Sequence, residues 1–270
     1  MSSRCVPFFV LLLLVLSTGW VVARERQTPE QLMKLSDTLY YYPAARGLKD
    51  LVVDLDMREL PMFPAAKDAH ISFIFAGEGQ QRFEVANLPA TADQTRKELV
   101  NLLEPLSNFI TPRPSASAFS GLTLTTLHVW RQLPGLPAMD FTLLIGATKD
   151  TNAPVKEYRV LLDRQGLAHQ VENVMKDGSV ISARIENHQD AGAWHIARVT
   201  TRMMSADTPQ WRIDSVEYGT VNGFTLPLKA TIQFRNSFNQ PIKGVNDLSV
   251  IFTNYRINSG AGAALFAPAK

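Results

Sequence analysis

Between Phe224 and Arg235 hydrophobic and polar residues alternate without a break. Phe224, Leu226, Leu228, Ala230, Ile232 and Phe234 share one side of an extended strand, with Thr225, Pro227, Lys229, Thr231, Gln233 and Arg235 on the other. This predicts a sheet with one apolar and one solvated face. Parallel sheets tend to show unbroken apolar runs, so the alternation argues for antiparallel pairing. The same period sets Leu51, Val53, Leu55 and Met57 against Asp50, Asp54, Asp56 and Arg58. Strands are also expected at 71–76 and 81–88, on either side of the loop Gly77-Glu78-Gly79-Gln80. From residue 122 onward strands follow at 122–131, 141–148, 158–163, 167–175, 180–187, 194–204, 211–218 and 247–257. Turn sequences such as Lys176-Asp177-Gly178, Asp190-Ala191-Gly192 and Val221-Asn222-Gly223 separate many of them, which makes an up-and-down antiparallel meander.

Two stretches carry helical spacing instead. Thr28-Pro29-Glu30-Gln31 combines a threonine cap, proline at the first helical position and glutamine three residues after the cap. Leu32, Leu35 and Leu39 follow on one face, and Tyr40-Tyr41-Tyr42-Pro43 ends the helix. The three tyrosines fit either the closed end of a core or the rim of a cavity. A second start at Thr91-Ala92-Asp93-Gln94 leads into Leu99, Leu102, Leu103, Leu106 and Ile110, with a kink expected at Pro105. Residues 260–270 are expected to fray.

About a dozen strands spaced roughly 4.8 Å apart make a sheet about 55 Å wide, which must curl or close. One helix covers a strip only about 10–12 Å across. Two helices therefore cannot fill the apolar face. Either the sheet folds into two packed layers, or it bends into an open antiparallel half-barrel with the helices as a lid over an apolar cavity. Helices embedded in the strand order favour the second. The expected fold class is mainly β with two or three helices.

Composition adds the compartment. Arg4 followed by the apolar run from Phe8 to Leu16, with Val21 and Ala23 beyond, is the layout of a secretory signal peptide cut after Ala23. The sole cysteine, Cys5, precedes that run, so neither a lipid anchor nor an internal disulfide is expected in the mature chain. No N-x-Ser/Thr sequon occurs, which favours a bacterial envelope. Without Arg4 the lysines and arginines exceed the 25 acidic residues by one, no footprint for nucleic acid. The expected plan is a signal peptide at 1–23, a single domain at 24–259 and a flexible tail at 260–270, exported to the periplasm as a monomer.

Candidate chemistry is sparse. Asp50, Asp54 and Asp56 have no companions at ligand spacing, so no metal is expected and the trio reads as a solvated strand face. His70, His128, His169, His188 and His195 could act as bases, but there is no metal-helix pair, no G-x-S-x-G and no mature thiol. His169 and His195 read as core histidines, and a hydrolase is the weaker alternative. No cofactor is expected.

The order of helix, strands, amphipathic helix and long meander resembles the periplasmic lipoprotein carriers of the LolA/LolB superfamily. So do Asn222-Gly223-Phe224-Thr225-Leu226-Pro227 and the final Val250-Ile251-Phe252-Thr253-Asn254-Tyr255-Arg256-Ile257-Asn258. The resemblance implies an unclosed barrel with a helical lid over a cavity that receives acyl chains. It also implies a soluble carrier of lipid or lipidated protein, working between membrane-bound donor and acceptor proteins. Expected cavity-wall residues are Leu51, Val53, Leu55, Phe224, Leu226, Leu228, Ile232 and Phe234, with Leu99, Leu103 and Leu106 on the lid. An envelope scaffold that holds a protein partner on the same curved sheet is the alternative.

Overall fold

The computed structural model describes residues 27–57, 62–77, 80–205 and 208–266. The expected signal peptide, Cys5 and residues 267–270 lie outside them. Helix α1 (Pro29–Leu39) opens with the expected capping box, in which Gln31 N–H donates to Thr28 Oγ1 and Thr28 N–H donates to Gln31 Oε1. Strands β1 (Leu51–Asp56), β2 (His70–Phe75) and β3 (Gln81–Ala86) follow. Helix α2 (Asp93–Leu103) then runs through a tight 3₁₀ turn at Glu104–Leu106 into α3 (Ser107–Ile110). Pro105 lies in that turn and produces the expected break. The second capping box is not formed. A 3₁₀ turn at Ala90–Ala92 comes first, and Ala92 caps α2 without a side-chain bond.

After the short α4 (Ser115–Ala118), nine strands form the meander: β4 (Thr123–Arg131), β5 (Met139–Ala147), β6 (Val155–Leu162), β7 (Ala168–Met175), β8 (Val180–Asp190), β9 (Ala193–Ser205), β10 (Thr208–Val221), β11 (Phe224–Arg235) and β12 (Leu248–Ile257). All twelve strands make one antiparallel sheet, ordered β3-β2-β1-β12-β11-β10-β9-β8-β7-β6-β5-β4. β3 and β4 are its free edges, so the sheet is open. The β10–β11 hairpin turns on Asn222 and Gly223, with φ of 49° and 84°, the left-handed pair that a tight two-residue turn demands.

The tail expectation fails for most of its length. Ala261–Phe266 forms helix α5, held by the buried Asp50 carboxylate, which accepts the Gly260 and Gly262 N–H groups at 3.1 and 3.2 Å. A side chain at Gly262 would come within 2.4 Å of the Phe75 carbonyl, so glycine allows the close docking. Thus Asp50 is a cap inside the structure and not part of a solvated strand face.

The apolar face is unevenly covered. Leu99, Leu103, Leu106, Phe109 and Ile110 press onto the inner residues of β1, β2, β3, β11 and β12 and form a continuous packed core. A smaller cluster joins Leu32 and Met33 of α1 to Phe119, Leu144 and Leu162. Asp37 ties α1 to α4, accepting the Ser115 and Ala116 N–H groups at 2.6 and 3.2 Å and the Tyr42 hydroxyl at 3.0 Å.

In the β6–β7 turn, Asp163 accepts the Gln165 and Leu167 N–H groups and lies 2.8 Å from His169 Nε2. Burial raises its carboxyl pKa, but these bonds outweigh it and the net shift is downward. A lowered carboxyl pKa favours the fold above the unfolded value near 3.8, and that contribution is lost as pH falls through the folded value. Asp163→Asn is therefore expected to shrink the stability difference between pH 6 and pH 3, read from urea unfolding at each pH.

Candidate functional site

A cavity of about 630 Å³ opens between the two core clusters. One wall is sheet, from Tyr158 and Val160 on β6 through Val171, Ala183 and Ile185 to Val199 on β9. The other is built from Tyr40, Tyr41 and Tyr42 just beyond α1, Phe109 of α3 and Phe119 just beyond α4. The inward positions of β7, β8 and β9 include Ala168, Ala183, Asn173 and Thr201, small or polar residues that leave room where β11 and β12 supply bulk.

All three tyrosines of the triplet line the cavity, and each has its hydroxyl occupied. The Tyr40 hydroxyl donates to Asn187 Oδ1 and accepts from Ala168 N–H, both at 3.0 Å. The Tyr41 hydroxyl accepts Thr225 N–H at 3.0 Å, while Tyr42 donates to Asp37. Tyr41 N–H also donates to the Trp194 carbonyl at 2.9 Å, stitching this segment to β9. Burial raises the Tyr40 hydroxyl pKa to about 12 and moves Tyr42 and Tyr218 further up, so these are neutral hydrogen-bonding groups and not bases.

Two polar features lie on the floor. Arg212 and Asp214, two residues apart on β10, form a buried ion pair with Nε to Oδ2 and Nη2 to Oδ1 both at 2.8 Å. Arg212 Nη2 also donates to the Leu102 carbonyl of α2 at 2.6 Å, so the pair latches the helix to the sheet. Asp214 is 1% exposed, and burial raises its carboxyl pKa against the hydrogen bonds and charge of Arg212. His195 is the second feature, with its ring centroid 5.0 Å from those of both Tyr41 and Tyr218. It lies just before a bulge at Ala197, where Glu186 pairs with Arg198 and Asn187 with Ile196.

None of the residues expected to form the wall and lid lines this cavity. Leu51, Val53, Leu55, Ile232, Leu99, Leu103 and Leu106 are buried in the first core, and Phe224 and Phe234 pack against it. Leu226 is fully buried away from the cavity, whereas Leu228 is 43% exposed. The cause is a second bulge. Glu217 pairs with Lys229 and Tyr218 with Pro227, leaving Leu228 as the extra residue and breaking the expected alternation. The Tyr255 hydroxyl donates to the Pro227 carbonyl at this point.

Among the described residues no group of three or more His, Cys, Asp or Glu side chains could hold a metal, and no helix is long and apolar enough to cross a membrane. No protein-family model and no curated protein matches the sequence. Solved structures do. The chain is similar to LolA-superfamily structures. A LolA superfamily protein from Nitrosomonas europaea matches over 86% of this chain and 94% of its own, at 9% identity and TM-score 0.35. A putative outer membrane lipoprotein-sorting protein domain from Vibrio parahaemolyticus covers the same shares at 10% identity and TM-score 0.35. A DUF1329 family protein from Desulfovibrio piger matches over 90% of this chain and 98% of its own, at 10% identity and TM-score 0.36. These likenesses concern the fold, and the functional reading rests on the cavity itself.

Proposed function

We propose that this protein is a non-enzymatic binder or carrier of lipid or lipidated protein, holding acyl chain in the cavity between the curved sheet and the helices. One observation carries the reading: an aromatic and aliphatic cavity of about 630 Å³ stays open beside a fully packed core. That volume lies within the roughly 300–1,000 Å³ typical of sites enclosing one small molecule. Each methylene moved out of water contributes about 0.8 kcal/mol, so even ten of them supply roughly 8 kcal/mol without any catalytic group. The leader-like pattern ending at Ala23 supports export to the periplasm. The partners would be acyl chains together with membrane-bound donor and acceptor proteins.

The test fills the space. Ala183→Trp places an indole in the cavity wall. It is expected to weaken binding of a fluorescent fatty acid by delipidated protein at least tenfold, while leaving thermal unfolding within a few degrees of wild type. Wild-type protein that takes up no apolar probe, or an Ala183→Trp variant that binds as wild type does, would sink the reading. A scaffold role has one observation in its favour, because free edge strand β4 exposes Leu127 and Trp130. A pull-down free of lipid but rich in one protein would favour that role.

A further inference from the structure

The cavity is lined by an imidazole that no described residue hydrogen-bonds and whose nitrogens are not among the sealed, unpartnered atoms of the interior. His195 is 6% exposed and lines the cavity, yet neither ring nitrogen is hydrogen-bonded to any described residue. Tyr41 and Tyr218 contact it by ring stacking only, and their hydroxyls are engaged elsewhere, with Thr225 N–H and with the Ile196 carbonyl. His169 gives the contrast, since its Nε2 is satisfied by Asp163. A polar ring that faces an otherwise apolar cavity with no protein partner leaves its hydrogen-bonding capacity for whatever occupies that cavity. Next to it the wall turns apolar at Phe109, Ile196 and Val199.

Resting on the acyl-binding reading, we propose that the occupant is a long-chain acyl compound inserted head first. An oxygen of its carboxyl or ester group bonds to His195, and its hydrocarbon tail lies along the apolar wall toward the rim. The chemistry fits the ring. Burial lowers the imidazole pKa below its ordinary value, outweighing the influence of Asp190, so the ring stays neutral. A neutral imidazole has one donor and one acceptor. A protonated carboxyl matches both, and an ester carbonyl matches the donor. The opposite orientation would put the head at the exposed rim beside Arg113, a lining residue with no ion-pair or hydrogen-bond partner among the described residues.

The experiment uses delipidated mature protein and three probes of equal chain length: palmitic acid, methyl palmitate and hexadecane, each competing against one apolar dye. Wild type is expected to prefer the two oxygen-bearing probes over hexadecane by roughly tenfold, the worth of one buried hydrogen bond. His195→Phe keeps an aromatic ring between the tyrosines and removes both nitrogens, so it should erase that preference. His195→Gln should restore part of it. The ¹⁵N signals of the His195 imidazole should move on addition of palmitic acid and not of hexadecane, a readout independent of whether His195→Phe folds. An unchanged preference in His195→Phe overturns the proposal, as does a preference lost in Arg113→Gln instead. Equal binding of all three probes by wild type overturns the head-group assignment alone, whereas no binding of any probe overturns the acyl reading with it.

Discussion

Replacing Arg212 by alanine is expected to lower the free energy of unfolding by about 3–5 kcal/mol, measured by urea denaturation at neutral pH. The ion pair with Asp214 is bidentate and almost wholly shielded from solvent, with side chains 9% and 1% exposed. Removing the guanidinium leaves a carboxylate inside the protein whose pKa burial already raises. It also strips the Leu102 carbonyl of its donor, at the join between α2 and the sheet. The penalty therefore reflects an uncompensated charge more than the net worth of the pair. The double variant Arg212→Met, Asp214→Leu checks that account, since replacing both charges with apolar groups of similar size should recover most of the lost stability. A single variant as stable as wild type would mean that water already reaches Asp214.

Leu103→Ala should cost about 2–5 kcal/mol of stability and leave apolar ligand binding unchanged. Leu103 is fully buried in the core formed by α2 and α3 against β1, β2 and β12, away from the cavity. Truncation there opens a void among neighbours that relax only partly. The contrast with Ala183→Trp is informative because the two changes should affect different observables. Leu103→Ala lowers the urea midpoint without touching dye affinity, whereas Ala183→Trp does the reverse. Loss of ligand binding in Leu103→Ala would move the ligand into the core.

These two positions also mark what could be read in the sequence. The strands, their antiparallel order and the break at Pro105 were all legible, because each rests on local chemistry: side-chain alternation, turn residues and the missing N–H of proline. The surplus of sheet over helix was legible too. Its location was not. Clean alternation in β11 identifies the face that packs, so it pointed to Leu226 and Ile232, while the open half of the face lies over strands with small or polar inward residues such as Ala183, Asn173 and Thr201. Small or polar inward positions interspersed among Val171, Ile181, Ile185 and Val199 were the available signal. Leu228 was misplaced because a bulge depends on the pairing partner across the sheet, which one strand's pattern does not reveal. The Tyr40-Tyr41-Tyr42 triplet fitted two roles, and only the registration of Tyr40 and Tyr41 against Trp194 places it on the cavity. The burial of Asp50 was hidden for a similar reason, since its partners at Gly260 and Gly262 come from the far end of the chain.

The pairing of β1 with β12 places Leu51 beside Ile257. A growing chain can assemble hairpins from β4 onward as each strand appears, but β1, which can pair with β2 at once, must wait for almost the whole polypeptide before β12 closes its other side. Sealing so long a loop carries a substantial entropic cost and slows folding. The meander is therefore available early and the dense interior late, so a nascent or partly threaded chain stays loosely structured until its final strand arrives.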